Sequence, residues 1–270
     1  MARLSAIVLM LLNGAESQAS VAHLRNLRGS ETTKSKKSGD SFSFSECFAK
    51  GDFDQPPLLN SSDFDDLLLP APDLNGTIED HAIMKFIQQS RTPETCRAQW
   101  AFISNKNIFA YDETFGANLE KEAPTFSKCI TAFYSESLKE VKDYLKNQVK
   151  RPRPFVNHPE VKPCIAKEDE YSYPSGHATF YGLTSELLSA AYPNLKERLQ
   201  QVGNSGVYAR AIGGVHWASD VEAGRDLGRS AATKFMNTPL WKSFMSNPGE
   251  KLVEEFKNIQ RFQPGAPFRR

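Results

Sequence analysis

The chain has 270 residues, 33 Lys plus Arg against 32 Asp plus Glu for a formal charge of +1, and 40% hydrophobic residues. That length and apolar content suit one generous domain or two small ones and exclude disorder throughout. The balanced charge excludes a whole-molecule field for nucleic acid or an anionic membrane, so any anion recognition has to be local. Mean hydropathy is −0.48, and no apolar run reaches the ~20 residues of a membrane-spanning helix.

In chain order, Met1-Ala2-Arg3 puts one positive charge before the mostly apolar Leu4 to Leu12, and small residues follow at cleavage spacing in Ala15-Glu16-Ser17 and Ser17-Gln18-Ala19. Residues 1–19 therefore read as a secretory signal peptide, which predicts a secreted or extracytoplasmic protein. Residues 20–66, rich in Ser, Thr, Lys and Asp and without apolar periodicity, read as a flexible low-complexity leader. Within it Arg25-Asn26-Leu27-Arg28 resembles the RxLR host-targeting signal of oomycete effectors, and a basic processing site explains the same four residues. Asn60-Ser61-Ser62 and Asn75-Gly76-Thr77 are glycosylation sequons. Asp63-Phe64-Asp65-Asp66 fails as a calcium loop, because Leu68 and Leu74 stand where an EF-hand needs Gly and Glu, and it reads as a solvated acidic stretch. Cys47, Cys96, Cys129 and Cys164 are even in number, widely spaced and free of any CxxC pattern, so two disulfides are expected, with three connectivities open and buried free thiols as the alternative.

Beyond Leu67 the pattern is helical. Ile130, Tyr134, Leu138, Val141, Leu145 and Val149 recur at spacings of four and three, predicting one long helix that Pro152 stops. Ala178 to Tyr192 is apolar nearly all round, as in a central buried helix ended by Pro193. Asn194 is read as the cap of a further helix from Leu195 to about Val202, with Gly203-Asn204-Ser205-Gly206 breaking it; Ser219 to Met236 is the next. Period-two runs are nearly absent, so the chain is expected to be all-α: a single helical-bundle domain over 67–262, followed by a disordered tail at 263–270.

Three clusters carry chemistry. Lys146, Lys150, Arg151 and Arg153 crowd a helix end, where a solvated basic face is the ordinary explanation. Tyr173-Pro174-Ser175-Gly176-His177 leads into the buried helix and offers free N–H groups, a hydroxyl and a glycine for close approach of an anion; a capping loop with a packed histidine accounts for the same residues. In the third cluster, Arg210 precedes His216 and Asp220, four apart; on a helix they share a face, and the carboxylate holds one ring nitrogen while the other keeps a nucleophilic lone pair. A transferring phosphoryl group needs positive charge on its oxygens, an in-line nucleophile and an acid for the leaving oxygen, and these clusters supply each part once.

Lys146-x6-Arg153-Pro154, Pro174-Ser175-Gly176-His177 and Arg210-x5-His216-x3-Asp220 resemble, in order and spacing, the three motifs of the type 2 phosphatidic acid phosphatase superfamily. The Leu69-Pro70-Ala71-Pro72 entry and the run from His216 to Arg225 are most similar to class A non-specific acid phosphatases, over roughly Leu67 to Gln260. The resemblance implies a helical bundle that hydrolyses small phosphomonoesters, without a cofactor or metal, through a phosphohistidine. By it His216 is the nucleophile, Asp220 orients it, and His177 is the acid and then the base; Lys146, Arg153, Ser175, Gly176 and Arg210 hold the phosphate. An acidic optimum is expected, and vanadate is expected as an inhibitor. Ala209 departs from the family, which usually has Ser before the third-motif arginine. Vanadium-dependent haloperoxidases share this site and are considerably longer; a secreted effector or binding protein keeping the scaffold is the non-enzyme alternative. Neither a nucleic-acid partner nor a membrane span is expected, and a homo-oligomer is left open.

Overall fold

The computed structural model describes residues 42–49, 59–68, 72–105 and 107–260. The signal peptide, Arg25-Asn26-Leu27-Arg28 and the 263–270 tail lie outside the described residues. Twelve α-helices follow one another among those residues: α1 Ile78–Ser90, α2 Pro93–Ala98, α3 Asp112–Phe115, α4 Leu119–Glu122, α5 Pro124–Ser135, α6 Lys139–Val149, α7 Pro154–Asn157, α8 Gly176–Ala191, α9 Lys196–Ile212, α10 Ala218–Met236, α11 Pro239–Ser246 and α12 Glu250–Gln260. Among the described residues the one extended pairing is an isolated bridge between Phe48 and Pro248. The fold is all-α.

Helix starts follow their local chemistry. Thr77 and Asp80 close a reciprocal capping box on α1, Pro93 and Pro124 occupy first-turn positions of α2 and α5, and Ser175 and Thr238 cap α8 and α11 through their hydroxyls. Helix α8 is the axis of the bundle: Phe180, Leu183, Leu187 and Leu188 are wholly buried. It packs most extensively on α10. A Cβ on Gly224 would lie 2.4 Å from the Ser175 carbonyl oxygen and one on Gly228 2.2 Å from that of Thr179. Only glycine lets the two backbones approach so closely, and this contact brings the second and third motifs together.

Two helix boundaries differ from the sequence reading. The apolar series from Ile130 to Val149 spans α5 and α6, which are separated at Glu136–Leu138. Its spacing survives because the turn between them is itself wound: Leu138 N–H donates to Tyr134, and Lys142 N–H to Leu138, both at 3.0 Å. Asn194 lies in a 3-10 turn, and the helix after it runs on to Ile212 through Gly203 and Gly206. Those glycines face α8: a Cβ at either would stand 2.3 Å from Ser185 Cβ or the Tyr181 ring. They are packing positions, and the hydrogen-bonded helix continues past them at the modest cost of glycine in a helix.

The disulfides join Cys47 to Cys129 and Cys96 to Cys164. Each closes a long loop, separations 82 and 68, for which the chain-entropy model gives about 4 kcal/mol of stabilisation. The first ties down part of the segment read as leader: Phe44, Cys47 and Phe48 are buried in the main core, as is Phe64 from the 3-10 turn Ser61–Leu68. The core thus draws on residues before 67, the start assigned from sequence. Asp63, Asp65 and Asp66 are exposed, as are both sequon asparagines, Asn60 and Asn75.

Candidate active site

Three segments converge at the N-terminal end of α8. On α6, Lys142 and Lys146 stand one turn apart on the same face. The helix ends with Lys150 in the left-handed region, φ 51°, and the chain turns through Arg151 to Arg153 before Pro154 opens α7. The second segment is Ser175, whose hydroxyl accepts from Ala178 N–H at 3.4 Å and whose own N–H donates to the Asp220 carbonyl at 2.9 Å. The third is the turn between α9 and α10, where Gly214 at φ 80° lets the chain reverse into Val215-His216-Trp217.

A cavity of about 600 Å³ opens where they meet, and Lys142, Lys146, Arg153, Gly176, His177 and His216 line it together with Glu168 and Glu170. His216 precedes α10 and is not on it. It meets Asp220 because that carboxylate caps the helix, Oδ2 accepting the Trp217 N–H at 2.9 Å. His216 Nδ1 is 3.4 Å from the same oxygen, a long contact with no closer partner among the described residues. On the other side of the ring Arg153 Nη1 donates to Nε2 at 2.8 Å. The donation fixes the tautomer: Nε2 keeps its lone pair and Nδ1 carries the proton toward Asp220. Burial, and after it the charges of Arg153, Lys146 and Arg210, push His216 well below its ordinary value, so the imidazole stays neutral.

His177 donates from Nε2 to the Ile103 carbonyl, so the proton it gains or loses sits on Nδ1. Burial, then Arg210, push it down to about 4. Lys146 donates to the Tyr171 carbonyl and is brought down to about 8 by burial, then by Arg153 and Lys142. Arg210 is buried, and its Nε has no hydrogen-bond acceptor among the described residues. The Ser175 hydroxyl is engaged as the cap of α8, while Gly176 opens that helix, in the first turn whose N–H groups lack intrahelical acceptors. All eight residues singled out from sequence are in one place. Lys146, Arg153, Gly176, His177 and His216 line the cavity; Ser175, Arg210 and Asp220 form its support.

Four further residues belong to the site. Glu168 bridges the two arginines, Oε2 to Arg153 Nη2 and Oε1 to Arg210 Nη2, both at 2.6 Å. Burial alone would raise its carboxyl, but Arg210 and Arg153 hold it at about 2, so it is an anion held between the two guanidinium groups. Lys142 lies along the cavity wall one turn before Lys146, a spacing visible in the sequence. Arg151, wholly buried, donates to Asp220 Oδ1 at 2.6 Å, to Ser219 Oγ at 2.8 Å and to Asp80 Oδ2 at 3.0 Å. Asp80 also accepts from the Ser219 N–H and Oγ at 2.9 and 2.7 Å. Arg151 stands in the basic cluster read as a solvated helix end. Asp80 had no signal except its place in a capping box.

Comparison with known proteins agrees with this geometry. Residues 125–243 match the profile of the PAP2 superfamily. The chain is similar to a non-specific acid phosphatase of Providencia stuartii, 26% identical over 76% of this chain and 86% of that protein. It is 35% identical to a non-specific acid phosphatase of Salmonella typhi over 41% of this chain and 46% of the relative. An acid phosphatase of Zymomonas mobilis is 36% identical over 29% of the chain and 31% of its own length. The matched stretch, residues 125–243, holds all three motifs in order, and their residues gather at one cavity within an all-helical bundle, as similarity to the PAP2 superfamily implies.

Proposed function

We propose that the chain is a secreted, metal-independent acid phosphatase that hydrolyses small phosphomonoesters through a phosphohistidine on His216. The observation that carries this reading is the buried His216, its Nε2 lone pair facing a cavity flanked by Arg153, Arg210 and Lys146. A phosphate entering that cavity displaces the Glu168 carboxylate and takes over the guanidinium donors, including the Arg153 Nη1 now on Nε2. Nε2 then attacks phosphorus in line as the ester P–O bond breaks. The electron pair leaves with the ester oxygen, which takes the Nδ1 proton of His177 and departs as the alcohol. In the second step His177 accepts a proton from water while the oxygen attacks phosphorus, the P–N bond breaks, and His216 recovers its lone pair. Asp220 holds the Nδ1–H through both steps and stabilises the charge on the phosphorylated ring. The cations and the Gly176 N–H meet the oxygens of the pentavalent species, where fixed donors contribute most.

The low value of His177 fits an acid enzyme. A bound phosphate offsets Arg210 and Arg153, which help depress His177, and raises it into the working range. The two disulfides and the absence of any described helix long and apolar enough to cross a membrane agree with an extracytoplasmic protein, as do the signal-like first residues. The test is hydrolysis of assorted phosphomonoesters by the mature chain in EDTA from pH 4 to 8, with an alkaline quench because the P–N bond is acid-labile. Turnover in EDTA with a phosphoryl group on the peptide holding His216 is the expected result. Activity that vanishes in EDTA, or a phosphoryl group on another residue, refutes the reading.

A further inference from the structure

Of the five histidines in the chain, His177 and His216 belong to the phosphate cavity and His23 lies outside the described residues. The remaining two meet on the far side of Trp217. His81 in the first turns of α1 and His158 just after α7 pack edge to face, ring centroids 4.6 Å apart. Both are half-buried against the Trp217 ring, at centroid distances of 4.9 and 5.5 Å. Their Nε2 atoms converge on one acceptor, the main-chain carbonyl of Asn75, at 3.0 and 3.1 Å. His158 Nδ1 stands 3.3 Å from Glu160 Oε1, and a ligand atom of each of His81, His158 and Glu160 lies within 4.8 Å of the others.

We propose that this cluster binds one borderline divalent cation of the zinc, copper or nickel class. His81 Nε2, His158 Nε2 and the Asn75 carbonyl oxygen are the ligands, and Glu160 is the carboxylate holding the His158 Nδ1 proton. Ligands about 2.1 Å from a tetrahedral zinc stand about 3.4 Å apart. The two nitrogen-to-oxygen separations are already within a few tenths of an ångström of that, so the atoms need only part slightly for the ion to enter, each ring bonding through its Nε2 lone pair with its single proton on Nδ1. Imidazole pairs suit these ions, whereas magnesium and calcium call for oxygen cages. A carboxylate on the outer ring nitrogen is the usual support of a metal-binding histidine.

The carbonyl is not a chance neighbour. Asn75 is held by its N–H on Asp73 Oδ1 at 2.8 Å and by its Oδ1 on Asn157 Nδ2 at 3.2 Å. Gly76 follows at φ 86°, where a Cβ would come within 3.0 Å of the Trp217 ring. The ligands therefore sit on two segments already fixed in place, and an ion there fastens the start of α1 to the turn after α7, behind the residue whose N–H holds Asp220. The role is structural and separate from phosphate chemistry.

The test uses the full mature chain, stripped with chelator and kept near neutral pH. Zinc is titrated by calorimetry, and copper by quenching of tryptophan fluorescence, which Trp217 reports at contact distance. One equivalent is expected, with a rise in Tm on zinc addition. Binding and quenching should fall by well over about tenfold in His81→Gln and in His158→Gln, and by about tenfold in Glu160→Ala, whose exposed side chain leaves the fold intact. Phosphatase activity in EDTA should be the same in all four proteins. No binding at millimolar zinc, or one equivalent held with unchanged affinity in the variants, overturns the proposal.

Discussion

Replacing Asp80 by Asn removes one negative charge from a buried chain of contacts, Asp80 to Arg151 to Asp220, that ends on the candidate nucleophile's partner. Asp80 accepts four hydrogen bonds: from Thr77 N–H at 3.2 Å, Ser219 N–H at 2.9 Å, Ser219 Oγ at 2.7 Å and Arg151 Nη2 at 3.0 Å. The guanidinium and carboxylate side chains are 0% and 3% exposed. Breaking a buried pair by removing one partner costs about 3–5 kcal/mol. Asn softens that, because its carbonyl oxygen still accepts one charge-assisted bond, worth about 1.5–3 kcal/mol. A loss of about 2–3 kcal/mol remains, equivalent to roughly 5–10 °C in Tm for a domain of this size. Asp80 lines no part of the cavity. With its charge gone, Arg151 draws harder on Asp220 and weakens its support of His216, so kcat should fall about tenfold while KM stays within about twofold. Calorimetric melts and steady-state kinetics on nitrophenyl phosphate read both effects. A Tm within about 1 °C of the parent, or a KM that rises while kcat holds, refutes the positioning role.

His216→Ala should abolish turnover, whereas His177→Ala should retain one burst of nitrophenolate, which needs no protonation to leave; equal bursts from both variants sink the division of labour. Arg153→Lys keeps the charge but loses the fork that reaches both His216 and Glu168, and kcat/KM should drop by about tenfold or more; parent kinetics would make Arg153 a mere solvated charge. Glu168→Gln removes the anion that competes for the two arginines, so the KM for phosphomonoesters and the Ki for orthovanadate should fall severalfold, and a rise in either counts against that competition. His177 is depressed from 6.5 to about 4, so between those values the unfolded chain binds a proton that the native one does not. Stability is therefore full above about pH 6.5 and declines as pH falls toward 4, by about 3 kcal/mol at 1.36 kcal/mol per unit. Melts across that range should show the slope, His177→Asn should shrink it, and a Tm that rises on acidification contradicts it.

Much of this site is written locally in the chain. The motif residues are legible because phosphate chemistry restricts what stands beside the reacting atoms, and because each motif falls at a helix boundary that Pro or Gly punctuates. What stayed hidden depends on contacts between distant segments. Asp80 is capping chemistry in its own neighbourhood and an ion-pair partner only once the fold brings Arg151, from the turn between α6 and α7, against the start of α1. Arg151 looks like any helix-end charge until the αL turn at Lys150 directs it inward. Gly203 and Gly206 follow the same rule in reverse: a local break signal is overridden because α8 presses Ser185 and Tyr181 against that face. The burial of Phe44 and Phe64 depends on the bundle and on the Cys47–Cys129 bond, which no pattern within residues 20–66 encodes.

The site gathers four cations, Lys142, Lys146, Arg153 and Arg210, in and around a cavity where unbalanced charge is costly. Glu168 balances the two arginines, and Glu170 stands within 4.0 Å of both lysines. Glu168 comes from the loop between α7 and α8, is about one-third exposed, and can swing out into water, whereas the arginines are pinned by the Val215 and Glu170 carbonyls and by burial. On the proposed mechanism, an incoming phosphate exchanges one anion for another on fixed donors, and the arginines need little reorganisation. That is the condition under which electrostatic stabilisation of a pentavalent phosphate is most effective. On that proposal the same exchange frees Arg153 from the His216 lone pair only when an oxyanion is present to accept its hydrogen bonds, so that uncovering of the proposed nucleophile is coupled to arrival of the group it attacks.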